Sequence, residues 1–349
     1  MSVNIAIVGV SGLAGGEVYR YLKAHPQVEI TTLQAYRTAG QQLCEVHPQL
    51  VADSNPTILP VDIPRLAECD TVFMALPHGL SAEIAEQLLA LNQDTRIIDI
   101  GADYRLASES DWQTFYGGKW AGHWCYGLPE LLQTTEREPK AQATEISQAS
   151  TVALPGCNVT AVTLAVQPAL ASGLISPQVV ATLAVGYSGA GKALKPHLLA
   201  TNALSNANPY SVGGVHRHIP EIAQNLYTVA SQHVSVVFTP VLVPMNRGIL
   251  ATVTAPLLNR DKLREAYEVA YANTPMVKLL PEGVWPETAS VQGTGMAHIQ
   301  IVADRQSDTA IMVAAIDNLG KGTAANALES FNLMHGWEID TAIPKVGVK

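Results

Sequence analysis

Leu154-Pro155-Gly156-Cys157-Asn158-Val159-Thr160 is the stretch whose residue types can do covalent chemistry. Pro155 and Gly156 force a sharp turn, and Val162, Ala165, Val166, Ala169 and Leu170 follow at the spacing of one buried helix face. Cys157 is therefore expected at or near a helix start. There, unpaired backbone N–H groups and the positive end of the helix dipole favour the thiolate, the nucleophilic form of cysteine. A buried structural thiol is the alternative, and a nucleophile needs a base from elsewhere in the chain.

His216-Arg217-His218-Ile219-Pro220-Glu221 offers such a base. Pro220 suits a first helical turn, and Ile222, Leu226 and Val229 mark the buried face behind it. His218 is predicted just outside that helix start, where the dipole disfavours the imidazolium and leaves a neutral ring able to accept a proton. A metal pair is the other reading of His-x-His, but no Cys, Asp or second His cluster lies near in sequence, so no metal site is expected. Either histidine could also be a packed core residue. Cations for an anionic ligand occur in four loops: Arg105 in Gly101–Leu106, Lys192 at the end of Gly186–Lys192, Arg217, and Arg247 in Val243–Gly248. A guanidinium such as that of Arg105 can grip phosphate bidentately.

Elements that position these loops can be read in order. Val3 to Val8 reads as a first strand, Gly9-Val10-Ser11-Gly12-Leu13-Ala14-Gly15-Gly16 as a glycine-rich turn, and Glu17 to Ala24 as helix. Strand, glycine turn and helix start let backbone amides approach a pyrophosphate, which makes Gly9, Ser11, Gly12, Leu13, Ala14 and Gly15 candidates for a dinucleotide. The Gly9-x-x-Gly12-x-x-Gly15 spacing departs from the commoner pattern, so its place in a βαβ unit carries the reading. Arg37 follows the second strand, roughly Val28 to Ala35, where an arginine suits a ribose 2′-phosphate and so points to NADP; a solvated loop arginine is the alternative. Strands at 71–76 and 96–100 around a helix at 81–91 extend a parallel sheet with its ligand loops at the strands' C-terminal ends. The polar stretch 136–149 shows no strand or helix face and reads as a surface excursion. After the Cys157 helix come strands at 179–185, 234–239, 248–255 and 309–315, with helix at 262–272, which suggests an α+β domain on an antiparallel or mixed sheet. Asp317-Asn318-Leu319-Gly320-Lys321-Gly322-Thr323 is a second glycine-rich turn at a helix start, either a site for a phosphate or cofactor amide or a capped helix.

The 349 residues suffice for two domains, and 48% apolar with 15% charged residues describes an ordinary globular chain that can bury surface between subunits. A formal charge of -9 without a basic block argues against nucleic acid or an anionic membrane as partner and for a small molecule. Cys44, Cys69, Cys125 and Cys157 are scattered, with no C-x-x-C pair, which fits a reducing compartment. The N-terminus has no signal-like segment and no apolar run reaches a membrane span, so a soluble cytoplasmic protein is expected.

Taken together, Pro155–Ala161, Ser188-Gly189-Ala190-Gly191-Lys192, His216–Glu221, Asp317–Gly322, the glycine loop and Gly101–Leu106 closely resemble N-acetyl-gamma-glutamyl-phosphate reductases of arginine biosynthesis, over nearly the whole chain. Asn158-Val159 stands where many members have an aromatic residue followed by proline, which leaves the cysteine and its turn intact. The resemblance implies a relative of aspartate-semialdehyde dehydrogenase: an N-terminal Rossmann domain (1–156), an α+β catalytic and dimerisation domain with a mixed sheet (157–317), and a C-terminal helix returning to the first domain (318–349). It implies conversion of N-acetyl-L-glutamyl 5-phosphate, NADPH and a proton to the 5-semialdehyde, phosphate and NADP. Carried onto this chain, Cys157 is the nucleophile and His218 the preferred acid/base, with His216 the alternative. Ser188, Gly189 and Asn318 join the cofactor residues. Arg105 would hold the leaving phosphate and Lys192, Arg217 or Arg247 the substrate carboxylate, in a homodimer or homotetramer. The rivals are another acyl-phosphate reductase, such as aspartate-semialdehyde or glyceraldehyde-3-phosphate dehydrogenase, and a non-catalytic NADPH-binding sensor.

Overall fold

The computed structural model describes residues 2–50, 55–134, 136–192 and 196–348. Its helices longer than six residues are α1 (Leu13–Leu22), α2 (Ser81–Leu91), α3 (Glu109–Phe115), α4 (Ala141–Gln148), α5 (Cys157–Ala171), α6 (His218–Ala230), α7 (Leu263–Tyr271) and α8 (Ala325–Met334). Strands β1 (Val3–Val8), β2 (Val28–Gln34), β3 (Thr71–Met74), β4 (Arg96–Asp99), β5 (Cys125–Tyr126) and β6 (Thr151–Ala153) form a parallel sheet in the order β2-β1-β3-β4-β6-β5. The order reverses at β1, with β2 on one side and β3 on the other, so the crevice above β1 is where a doubly wound sheet accepts its ligand.

A second sheet is mixed: β7 (Gln178–Val185), β8 (Asn208–Pro209), β9 (Ser235–Leu242), β10 (Ile249–Pro256), β11 (Val277–Leu279), β12 (Ala297–Ala303) and β13 (Thr309–Ile316), in the order β11-β12-β13-β10-β7-β9-β8. Pairs β7–β9 and β11–β12 are parallel and the rest antiparallel. Its strands alternate cleanly: Val179, Ala181, Leu183 and Val185 are buried, while Gln178, Val180 and Thr182 are exposed. The inner face packs on α5, with α6 and α7 completing a core that includes Val162, Leu164, Ile222, Leu226 and Tyr267.

Among the elements that differ from the sequence expectation, three do so for a reason that the packing shows. α5 is buried on all sides from Asn158 to Leu170, because it runs between the sheet and two helices rather than along a surface. The supposed surface excursion contains α4, a mostly polar helix whose Gln142 and Ile146 are buried and which packs on α8. Two alanines and a single isoleucine in an otherwise polar octet are too little to register as periodicity. β12 has no counterpart among the predicted strands because buried Gln300 breaks its apolar run; its amide is satisfied by the carbonyls of Leu280, Pro281 and Val284. Among the described residues no helix is long and apolar enough to cross a membrane.

Candidate active site

The glycine loop joins β1 to α1 and its glycines are dictated by space. Gly9 has φ +84°, and a Cβ there would lie 2.2 Å from the Ala75 carbonyl oxygen, while one at Gly15 would lie 2.4 Å from the Gly9 carbonyl oxygen. Gly12 caps α1 without a side-chain hydrogen bond and the first turn of α1 carries no acid, so the amides of Leu13, Ala14 and Gly15 remain available for an anion. This cradle fits a dinucleotide pyrophosphate. Behind it, buried His47 holds the Val10 carbonyl at 2.8 Å. Arg37 is exposed just past the end of β2, beside β1 in the sheet.

At the opposite wall Cys157 is the first residue of α5, with Gly156 as an extended N-cap. The Gly156 N–H donates to Glu221 Oε1 at 2.9 Å, and the same oxygen accepts the Tyr126 hydroxyl at 2.8 Å. Asn225 donates to the Tyr126 oxygen at 3.1 Å. Glu221 Oε2 lies 3.9 Å from the Arg105 guanidinium, whose position is fixed by a 2.8 Å bond to the Ile100 carbonyl. Burial pushes the Cys157 thiol up to about 11, although Arg105 and the amides of Asn158 and Cys157 pull the other way. In the free protein desolvation works against the expected thiolate, opposing the helix start and its one nearby cation.

His218 opens α6 as its first helical residue, not just outside it. Its ring lies over Gly156, close enough that a Cβ there would come within 2.5 Å of Nε2. Burial, followed by His216, Arg105 and Arg217, holds the ring well below the ordinary histidine range, so it is neutral at pH 7. Its Nδ1 is buried without a partner among the described residues. His216 Nδ1 accepts the His218 backbone N–H at 3.0 Å, and burial followed by Arg217 lowers it to about 4. Its ring packs on Tyr210 and Phe238.

A cavity of about 660 Å³ brings together Cys157, His216, His218, Arg105, Arg217 and Gly189. Exposed Arg217 reaches His78 Nδ1 at 3.4 Å and stacks over Tyr116. The cavity's walls also carry Tyr210 and Asn158. Two predicted cations lie elsewhere. Lys192 Nζ bonds the Ser11 carbonyl at 2.9 Å, on the glycine-loop side. Arg247 does not line the cavity, because Glu17 and Asp317 occupy its guanidinium from both sides. It is not available to a substrate carboxylate.

Asn318 donates to Ser188 Oγ at 2.9 Å and accepts the Gly248 N–H at 2.8 Å, which hangs the Ser188-Gly189 loop beside the cavity. The glycine turn after Asp317 is a capped helix start: Asp317 Oδ1 accepts the N–H groups of Leu319 and Gly320, so those amides are taken. The turn backs Cys157 instead, with Gly322 so near that a Cβ would lie 2.7 Å from Cys157 Cβ. Buried Lys321 pins it through Glu130 at 2.5 Å and Glu329 at 2.6 Å.

Residues 157–318 match the family model described as the semialdehyde dehydrogenase dimerisation domain, and residues 4–138 match the semialdehyde dehydrogenase NAD binding domain. The curated N-acetyl-gamma-glutamyl-phosphate reductases of Thermobifida fusca and Streptomyces avermitilis are 48% and 46% identical over 351 residues, covering 100% of this chain and 99% of each relative. The chain belongs to the N-acetyl-gamma-glutamyl-phosphate reductase family. It is accordingly an oxidoreductase with a nicotinamide-cofactor domain. Among solved structures, aspartate semialdehyde dehydrogenase II of Vibrio cholerae, complexed with ASA, superposes with TM-score 0.73 at 16% identity, covering 96% of this chain and 99% of that one. At that identity the likeness is one of fold. Within this reductase family member, the sequence reading missed Glu221 and Tyr126 as the holders of the Gly156 turn. Glu221 stands inside the histidine motif, but its partners lie 65 and 95 residues away, which no local pattern reveals.

Proposed function

We propose that the protein reduces N-acetyl-L-glutamyl 5-phosphate to N-acetyl-L-glutamate 5-semialdehyde with NADPH, through a thioester on Cys157. The observation that carries this reading is the shared cavity of one thiol, the neutral, half-buried imidazoles of His216 and His218, and two guanidinium groups, beside a dinucleotide cradle. Because the free thiol is protonated, His218 acts as a general base during attack rather than as partner to a standing ion pair. The sulfur bonds to the acyl carbon, the carbon–oxygen bond to phosphate breaks, and His218 passes the thiol proton to the departing phosphate. Arg105 and Arg217 hold the phosphate and carboxylate charges. Gly9–Gly15, with Ser188, Gly189 and Asn318 beside the cavity, would hold a nicotinamide cofactor, which when bound would supply a hydride for the reduction. His218 then delivers a proton taken from solvent as the aldehyde leaves and the thiol is restored. His216 is already engaged with the α6 backbone, which favours His218 for the proton. Arg37 reads the 2′-phosphate of NADP.

The subunits assemble through the outer face of the mixed sheet, where Val180 and Val237 are register partners and 45% and 54% exposed. Four free thiols suit a reducing cytoplasm. The reading is tested by following NADPH oxidation with N-acetylglutamyl phosphate and with aspartyl phosphate in parallel. It requires turnover and phosphate release with the first and at most traces with the second; the reverse preference would move the protein to the aspartate branch, and NADPH binding without turnover would make it a sensor.

A further inference from the structure

Glu17, Arg20, Arg247 and Asp317 form an ionic cluster that the chemistry above leaves unused. The Arg247 guanidinium lies between two carboxylates, reaching Glu17 at 2.5 and 3.2 Å and Asp317 at 2.9 and 3.1 Å. Asp317 also accepts the Gly293 N–H at 2.7 Å, and Arg20 joins Glu17 at 2.7 Å to the Gly293 carbonyl at 3.0 Å. Two positive and two negative groups thus balance, with both carboxylates buried and Arg247 only 18% exposed. Water screens such pairs weakly, and the two-sided fork of arginine fixes direction as well as distance.

The cluster's members come from the two halves of the cofactor site. Glu17 belongs to α1, the helix whose N-terminus completes the glycine cradle. Asp317 directly precedes Asn318, which holds Ser188, and lies in the segment whose Gly322 backs Cys157. Arg247 sits on the loop whose Met245 and Asn246 carbonyls accept the N–H groups of Tyr187 and Ser188. We propose that Arg247 is a positioning residue that registers the glycine cradle against the Cys157–Asn318 wall, governing cofactor affinity and reduction while leaving acylation of Cys157 untouched. The inference rests on the two-stage reading above.

Full-length Arg247→Met, Arg247→Lys and Glu17→Gln proteins separate the two stages. Phosphate released in a first turnover without cofactor reports acylation, and fluorescence titration with NADPH reports the cradle. Acylation should stay within about twofold of the unmodified protein, while NADPH affinity falls about tenfold or more in Arg247→Met, the scale of a lost charged hydrogen bond. Arg247→Lys and Glu17→Gln each keep part of the cluster and should lose less, which preserves the test if Arg247→Met does not fold. Acylation slowed tenfold with NADPH affinity unchanged would place Arg247 at the substrate and overturn the inference, as would no change in either. If the unmodified protein releases no phosphate, the thioester reading fails, and the NADPH titration still decides the role of Arg247.

Discussion

At the scale of single residues, sequence spacing placed Cys157 at a helix start but did not reveal how far burial opposes its ionisation. A helix N-terminus argues for a thiolate, yet desolvation in the cavity floor wins, and the free thiol is pushed up to about 11. Alkylation of Cys157 by iodoacetamide, read by peptide mass spectrometry, should therefore still be accelerating between about pH 8 and 10, past the usual cysteine range near pH 8.5. A plateau below pH 8 would mean that the thiolate is already formed. The exposed Arg37 makes a separate claim, because its only proposed task is to meet a 2′-phosphate. Arg37→Asp should weaken NADPH about tenfold or more, the scale of a charge-assisted contact, with NADH nearly unaffected. Equal losses for both cofactors would remove that role.

At the scale of elements, the chemistry depends on the starts of α5 and α6 meeting at one glycine. Gly156 has φ -64° and ψ 142°, which alanine adopts without strain, so backbone freedom is not its reason. The His218 ring fills the space where a Cβ would stand, 2.5 Å from Nε2. Gly156→Ala should displace the base and lower kcat by about 100-fold, the lower end for losing general acid–base catalysis. Overpacking would cost about 1–3 kcal/mol of stability, measurable by urea titration. A variant with kcat within about twofold of the unmodified protein would show that the ring's seat does not matter. Glu221 explains why the two starts stay together, since one buried oxygen serves the Gly156 amide and the Tyr126 hydroxyl.

Across the whole molecule, the parallel sheet was legible because strands such as Thr71–Met74 are buried runs flanked by turns, and the glycine loop follows β1 directly. The mixed sheet was legible in part, through alternation in β7 and β10. What escaped was non-local: Arg247 read as a substrate cation until folding placed Glu17, 230 residues away, against it. The polar helix α4 and β12 with its buried Gln300 also depend on partners far along the chain. The uncovered sheet face makes its own prediction, since Val180→Asp with Val237→Asp adds two charges where a second subunit would bury two apolar neighbours worth about 1.5–3 kcal/mol each. Sedimentation should show the double variant as a folded monomer and the unmodified protein as a dimer or tetramer; identical masses would exclude that face. The thioester itself is open to the most direct measurement: mixing the protein with N-acetylglutamyl phosphate in the absence of NADPH, quenching in acid, and mapping the added acyl mass by peptide mass spectrometry. The account predicts one N-acetylglutamyl group per subunit on the peptide containing Cys157, lost when NADPH is added before quenching. An acyl group on any other residue, or none while turnover proceeds, would contradict it.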